Sequence, residues 1–232
     1  MANDFFRFED KEYDLPLLNG DSRFTTKNVI ILLIGFLIAA AIPYLIPPSN
    51  GLLKAILFTV PSLLAVVYVF KDDMSNIVRM PKPKDIIIVI IGLILMIIFG
   101  HLSNFIGAAL GIPLQTDSAV NGSPLILIIR ALIQIFGEEL IKFVPLVITV
   151  AYLYKSMGRK AAIIVAIIIS QILFALVHIP AYGFALGFLL VHIGFGSIVL
   201  PFVYVKTKNL VLSYLIHFLL DLLTFIPHIL GA

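Results

Sequence analysis

The chain contains no cysteine, which excludes a disulfide framework, a thiolate metal site and a cysteine nucleophile. It is also poor in charge: 12% of its 232 residues are Asp, Glu, Lys or Arg, where a soluble domain carries about 25%. With 61% hydrophobic residues and a mean hydropathy of +1.12, it lacks the polar groups to cover a water-facing surface. The formal charge of +3 is not gathered into a basic run with interleaved aromatics, so nucleic acid is not an expected partner. There is no internal repeat, no low-complexity region and no alternating pattern of a membrane barrel. The segment 1–27 lacks the short apolar core and cleavage site of a signal peptide, and reads as an interfacial or loosely ordered cytoplasmic arm.

What is present is long apolar segments. A helix needs about 20 apolar residues to cross the hydrocarbon layer, and seven segments qualify: 28–46, 51–70, 86–110, 124–154, 161–180, 183–205 and 209–230. Lipid offers no backbone partners, so each is expected to be helical. Lys and Arg orient them. Arg7, Lys11, Arg23 and Lys27 precede the first span, and Lys71, Arg79, Lys82 and Lys84 fill the second connection. Lys155, Arg159 and Lys160 fill the fourth, and Lys206 and Lys208 the sixth. The remaining connections have none, which predicts a cytoplasmic N-terminus and an outside C-terminus. The expected architecture is an all-α, polytopic helix bundle of about seven transmembrane helices in the cell membrane. Lys54 and Arg130, near predicted outer ends, are expected to snorkel toward the headgroups.

Several polar residues do not belong in lipid. Glu138, Glu139 and Lys142 fall within five residues of the fourth span, and each ionisable group at a helix centre costs about 2.5–3.5 kcal/mol on insertion scales. Lys142 is four residues from Glu138 and three from Glu139, so it can contact either carboxylate. His178 ends the fifth span, and His217 and Asp221 form an i, i+4 pair on the seventh. At 1.5 Å per residue, Glu138, His178 and Asp221 lie roughly 24, 26 and 18 Å from the cytoplasmic helix ends, and His217 about 12 Å. They can share one buried cavity. His101 and His192, at roughly 24 and 20 Å, are expected either to line it or to bond across helices.

Glu-Glu on one membrane helix, Phe174-x-x-x-His178 on the next and His217-x-x-x-Asp221 two helices later resembles the CAAX protease and bacteriocin-processing (Abi) family of intramembrane endopeptidases. The resemblance covers roughly residues 120–228. It divides the chain into an arm (1–27), three N-terminal spans (28–119) and a catalytic core (120–232). The family's first motif usually reads Glu-Glu-x-x-x-Arg. Here Phe143 stands at the arginine position and Lys142 precedes it, giving the Glu-Glu-x-x-Lys of a related anti-sigma-factor-cleaving branch.

The resemblance implies that Glu138, paired with His178, activates a water as general base. Glu139 and Lys142 would orient that site and balance its charge, with His217 and Asp221 stabilising the oxyanion. As a carboxylate, Asp221 is better suited to orienting or charging His217 than to donating directly. The implied substrate is a hydrophobic, lipid-anchored or membrane-embedded peptide or protein. Glu138, His178 and His217 also make up the two-His-one-carboxylate set of a catalytic zinc site. The resemblance equally implies a metal-free, glutamate-based mechanism, and the H-E-x-x-H spacing of common zinc peptidases is absent. Two other readings compete: a non-catalytic pseudoenzyme that binds peptides or a sensor protein, and an ion-coupled transporter. The transporter reading lacks the expected inverted repeats.

Overall fold

The computed structural model describes residues 5–18, 20–115 and 123–230, without the side chains at 48 and 225–230. The boundary expected between 119 and 120 lies outside the described residues. The chain is an all-helical, polytopic membrane protein. Its elements are α1 (Thr26–Leu45), α2 (Gly51–Phe70), the short α3 (Met74–Ile77), α4 (Ile86–Ala109) and α5 (Pro124–Met157). There follow α6 (Arg159–Val177), the short α7 (Ile179–Tyr182) and α8 (Leu186–Phe188), α9 (Val199–Thr207) and α10 (Leu210–Leu230). Leu189–Phe195, between α8 and α9, is π-helical.

Among the described residues five helical stretches are long and apolar enough to cross a membrane: 26–45, 51–77, 83–109, 159–177 and 186–207. The expected fourth span is one helix of 34 residues, α5, about 51 Å long at 1.5 Å per residue. Its charges lower its hydropathy, and the rest of the bundle packs around it: every residue from Gly137 to Ile148 is buried. Lipid gives no hydrophobic drive between helices, so small residues and polar side chains do the joining. Gly35 brings α1 onto Pro61 and Ala65 of α2, and Gly137 brings α5 onto Phe58 and Thr59. Ser62 donates to the Gly35 carbonyl at 3.3 Å and Thr59 to the Ile133 carbonyl at 2.9 Å. Gly158 alone separates α5 from α6, at a φ of +76° that glycine adopts without a Cβ clash.

The described part of the arm packs on the bundle. Glu9 is buried, and its carboxylate accepts from Arg159 Nε at 3.1 Å, Arg159 Nη2 at 2.7 Å and Lys208 Nζ at 2.6 Å. Asp10 N–H donates to the Lys206 carbonyl at 2.8 Å, and the ring of Phe5 lies 3.8 Å from the Arg159 guanidinium. The arm therefore joins the start of α6 to the α9–α10 turn. Burial alone would raise the Glu9 carboxyl, but hydrogen bonds from Arg159, Lys208 and the Phe6 N–H outweigh it and hold it below its ordinary value of 4.5. A lowered carboxyl adds stability that is full above its unfolded value and lost as pH falls through the folded one. We expect wild-type arm cleavage in limited proteolysis to begin only below the ordinary glutamate range. Glu9→Gln should expose the arm at neutral pH.

Candidate active site

Three helices bring the buried polar residues together. On α5, Glu138 and Glu139 point about 100° apart, and the bundle gives them different partners. Lys142 takes Glu139: Nζ lies 2.5 Å from Oε1, with both side chains buried. On the same oxygen, His217 Nδ1 of α10 lies at 2.8 Å, and Ser213 Oγ donates to Glu139 Oε2. Lys142 Nζ is 3.3 Å from the same nitrogen, but the shorter contact is to a carboxylate, which only accepts, so we assign the His217 proton to Nδ1. Its Nε2 then faces the other two carboxylates, 3.7 Å from Glu138 Oε2 and 4.0 Å from Asp221 Oδ1. Glu138 Oε1 accepts from the Gln134 amide at 2.9 Å.

His178 caps α6, and its Nδ1 lies 2.9 Å from the Phe174 carbonyl. That carbonyl accepts, so Nδ1 donates and Nε2 of a neutral ring is left to accept. The Phe174 ring packs edge-on against His178 at 4.7 Å and sits 4.2 Å from Lys142 Nζ. Ser170 Oγ donates to the Lys142 carbonyl at 2.7 Å.

Glu138, His178, His217 and Asp221 line one cavity of about 640 Å³ between α4, α5, α6, α10 and the π-helical turn. A smaller space of about 70 Å³ reaches Glu138 and His178 from the α1–α2 side. Glu139 and Lys142 lie behind the cavity wall rather than in it. His192 lines the cavity, its Nδ1 3.1 Å from Asn104 Oδ1. The π-helical register, a feature that often marks functional sites, carries it. Gln171 Nε2 pins that turn to α6 through the Gly194 carbonyl at 2.8 Å and Ser197 Oγ at 2.9 Å.

Three expectations need correction or closer statement. His101 neither lines the cavity nor bonds across helices: it is exposed. The packed face of α4 carries Gly92, Met96, Ser103 and Gly107, and five residues past Met96 turns a side chain some 140° away. Lys54 and Arg130, expected to snorkel, line the cavity. Among the described residues, no group of three or more His, Asp or Glu side chains is arranged to hold a metal ion. In particular His178, His217 and Glu138 share the cavity without converging as ligands, and no step below runs through a metal.

Ser213 and Gln134 carry no motif, yet a periodic signal was available for both. Ser213, His217 and Asp221 recur every four residues on α10, as do Arg130, Gln134 and Glu138 on α5. The departure at the first motif also has a geometric basis. Phe143 is buried edge-on against Phe70 at 5.9 Å and Tyr204 at 5.2 Å, where an arginine would face aromatic rings. One residue earlier on the helix, Lys142 points instead at Glu139 and α10.

Comparison with known proteins agrees with this pattern. Residues 120–223 match the Rce1-like family, described as type II CAAX prenyl endopeptidase Rce1-like. No curated protein and no solved structure matches the chain. Glu138, Glu139, His178, His217 and Asp221 all fall inside the matched segment, a little under half of the chain, and over that segment the chain is similar to the Rce1-like CAAX protease family.

Proposed function

We propose that the protein is an intramembrane endopeptidase that hydrolyses a peptide bond in a hydrophobic or membrane-associated peptide, using water activated by Glu138 and His178. The observation that carries this is Glu138 and the acceptor side of His178 on one buried cavity, beside a His217 held between carboxylates. Glu138 takes a proton from water as the oxygen attacks the scissile carbonyl carbon. His217, with Glu139 on Nδ1 and Asp221 near Nε2, is placed to hold a second proton and donate Nε2–H to the oxyanion. Collapse breaks the C–N bond, and the proton held by Glu138 passes to the leaving amine. Lys142 pairs with Glu139, which in turn orients the His217 ring through Nδ1. The deciding experiment incubates purified protein with candidate hydrophobic peptides, with and without a chelator. Cleavage that survives in both Glu138→Ala and His178→Ala overturns the reading; cleavage abolished by the chelator overturns its metal-free form.

The side from which substrate enters follows from the same reading. Lys54 is in the first turn of α2, Arg130 in the second turn of α5 and Thr224 late in α10. All three sit toward the membrane face opposite the Lys/Arg-rich connections, which the basic-residue bias assigns to the outside. Because the chain lacks cysteine, one introduced thiol reports unambiguously. An impermeant maleimide added to intact cells should label Thr224→Cys, and should label Ser156→Cys only after permeabilisation. The reverse pattern would place the cavity on the cytoplasmic side.

A further inference from the structure

A second cavity, of about 660 Å³, lies at the end of the bundle that carries the Lys/Arg-rich connections and shares no lining residue with the cavity of Glu138. Residues of the arm, the α2–α3 connection and α9 enclose it. Its charge runs against its surroundings. Four of the chain's 13 acidic residues line it, Asp14, Asp21, Asp72 and Asp73, against one cation among the described residues, Arg23. Arg23 is divided between two of them, with Nη2 2.6 Å from Asp21 Oδ2 and Nη1 2.5 Å from Asp73 Oδ2. Asp14 Oδ1 lies 2.8 Å from Arg159 Nη1, and Arg159 and Lys208 both pair with Glu9, so those four groups sum to zero. Arg79 does not line the cavity; it stacks on the Tyr13 ring at 3.9 Å and donates to the carbonyls of Asn76, Thr207 and Lys208. With Arg23 shared and Asp72 added, the wall carries a surplus of two negative charges.

An acidic cluster alone is an ordinary solvated surface, but this wall also holds an unpaired buried group. Tyr204 is 2% exposed, and its hydroxyl has no hydrogen-bond partner among the described residues. Buried polar atoms are rarely left so. The Tyr204 ring is set edge-on against Phe143 at 5.2 Å, so packing presents its hydroxyl to the cavity. The volume is that of a small-molecule site, and Leu15, Leu18 and Ile77 add apolar surface to its lining. An anion is repelled by the charge surplus. Among the described residues no group of three His, Asp or Glu side chains is arranged to hold a metal ion. We infer that this cavity binds a linear polyamine, whose ammonium groups pair with Asp72 and with the Asp21 and Asp73 carboxylates and donate one N–H to the Tyr204 hydroxyl. Its methylene segments lie on Leu15, Leu18 and Ile77. A lysine side chain of a peptide shares the ammonium chemistry and is the alternative source of the cation.

The test titrates spermidine into the full chain in neutral detergent, at fixed ionic strength, by isothermal calorimetry. Wild type should bind it saturably, and should bind N-acetylputrescine, which carries a single charge, about tenfold more weakly. Tyr204→Phe should weaken spermidine about tenfold without loss of thermal survival, because it removes a hydroxyl that bonds nothing among the described residues. Asp72 is exposed, so Asp72→Asn tests the cavity without disturbing the core, and should weaken binding to a similar extent. No saturable binding, equal binding of the two amines, or a variant of either residue that binds as wild type does overturns the inference. So does displacement of spermidine by magnesium at equal charge, which reduces the site to diffuse electrostatics. An acetylated Lys-Gly-Lys amide that binds more tightly than spermidine, with the same dependence on Tyr204, assigns the cavity to a protein segment and overturns the polyamine.

Discussion

Glu138→Gln should lower peptide hydrolysis by about 10²–10⁴-fold, the range for removal of a positioned general base, while leaving the fold intact. The substitution keeps size and keeps an oxygen to accept from Gln134, which bonds Glu138 Oε1 at 2.9 Å. It removes only the ability to take a proton. Glu138 does not hold Lys142, which is committed to Glu139. Removing its charge should therefore relieve repulsion with Asp221 across His217 rather than strand a cation. Thermal survival of the variant should match or exceed wild type. Hydrolysis retained within a few-fold of wild type would assign the base elsewhere; full loss together with misfolding would mean that Glu138 is structural.

Lys142→Met should be the most damaging single change to stability. It leaves Glu139 buried beside another carboxylate, Glu138, with only Ser213 and His217 to hold its charge. Removing one partner of a buried ion pair costs about 3–5 kcal/mol, chiefly because the remaining charge stays uncompensated. The same logic predicts rescue. Lys142→Met combined with Glu139→Gln removes both charges and should recover most of the loss, although His217 then loses the carboxylate that orients Nδ1. Stability and activity should thus separate, with the double variant folded but weakly active. The measurement is the fraction that survives heating as a monodisperse size-exclusion peak, read beside peptide hydrolysis. Equal stability of wild type and Lys142→Met would show that the 2.5 Å pair contributes nothing net.

The helices and their order are legible in the sequence because lipid leaves so few choices: a long apolar run must be helical. The candidate residues of the site stand out for a related reason. A charge in a span is expensive, so Glu138, Glu139, Lys142, His217 and Asp221 stand out against their surroundings. What could not be read is what depends on helix rotation and on distant partners. His101 has the right depth and the wrong face. Lys54 and Arg130 sit near helix ends, where snorkelling and cavity lining look alike in one dimension. Lys142 could reach either glutamate by spacing, and Ser213 and His217 on α10 decide for Glu139. The arm's order was hidden for a similar reason, since Glu9 reads as an ordinary surface glutamate until Arg159 and Lys208 meet it.

That last contact bears on how the protein is made. The partners of Glu9 follow it in the chain by 150 and 199 positions. At about 5–20 residues per second, the first residue of the cluster waits roughly ten to forty seconds for the last. α1 to α5 are made during that interval, and Glu9 has no seat until α6 begins. The bolt can close only after α6 has started and the α9–α10 turn has formed. Its closure is therefore a late step in biogenesis, one that requires every helix from α1 to α9 to have been made.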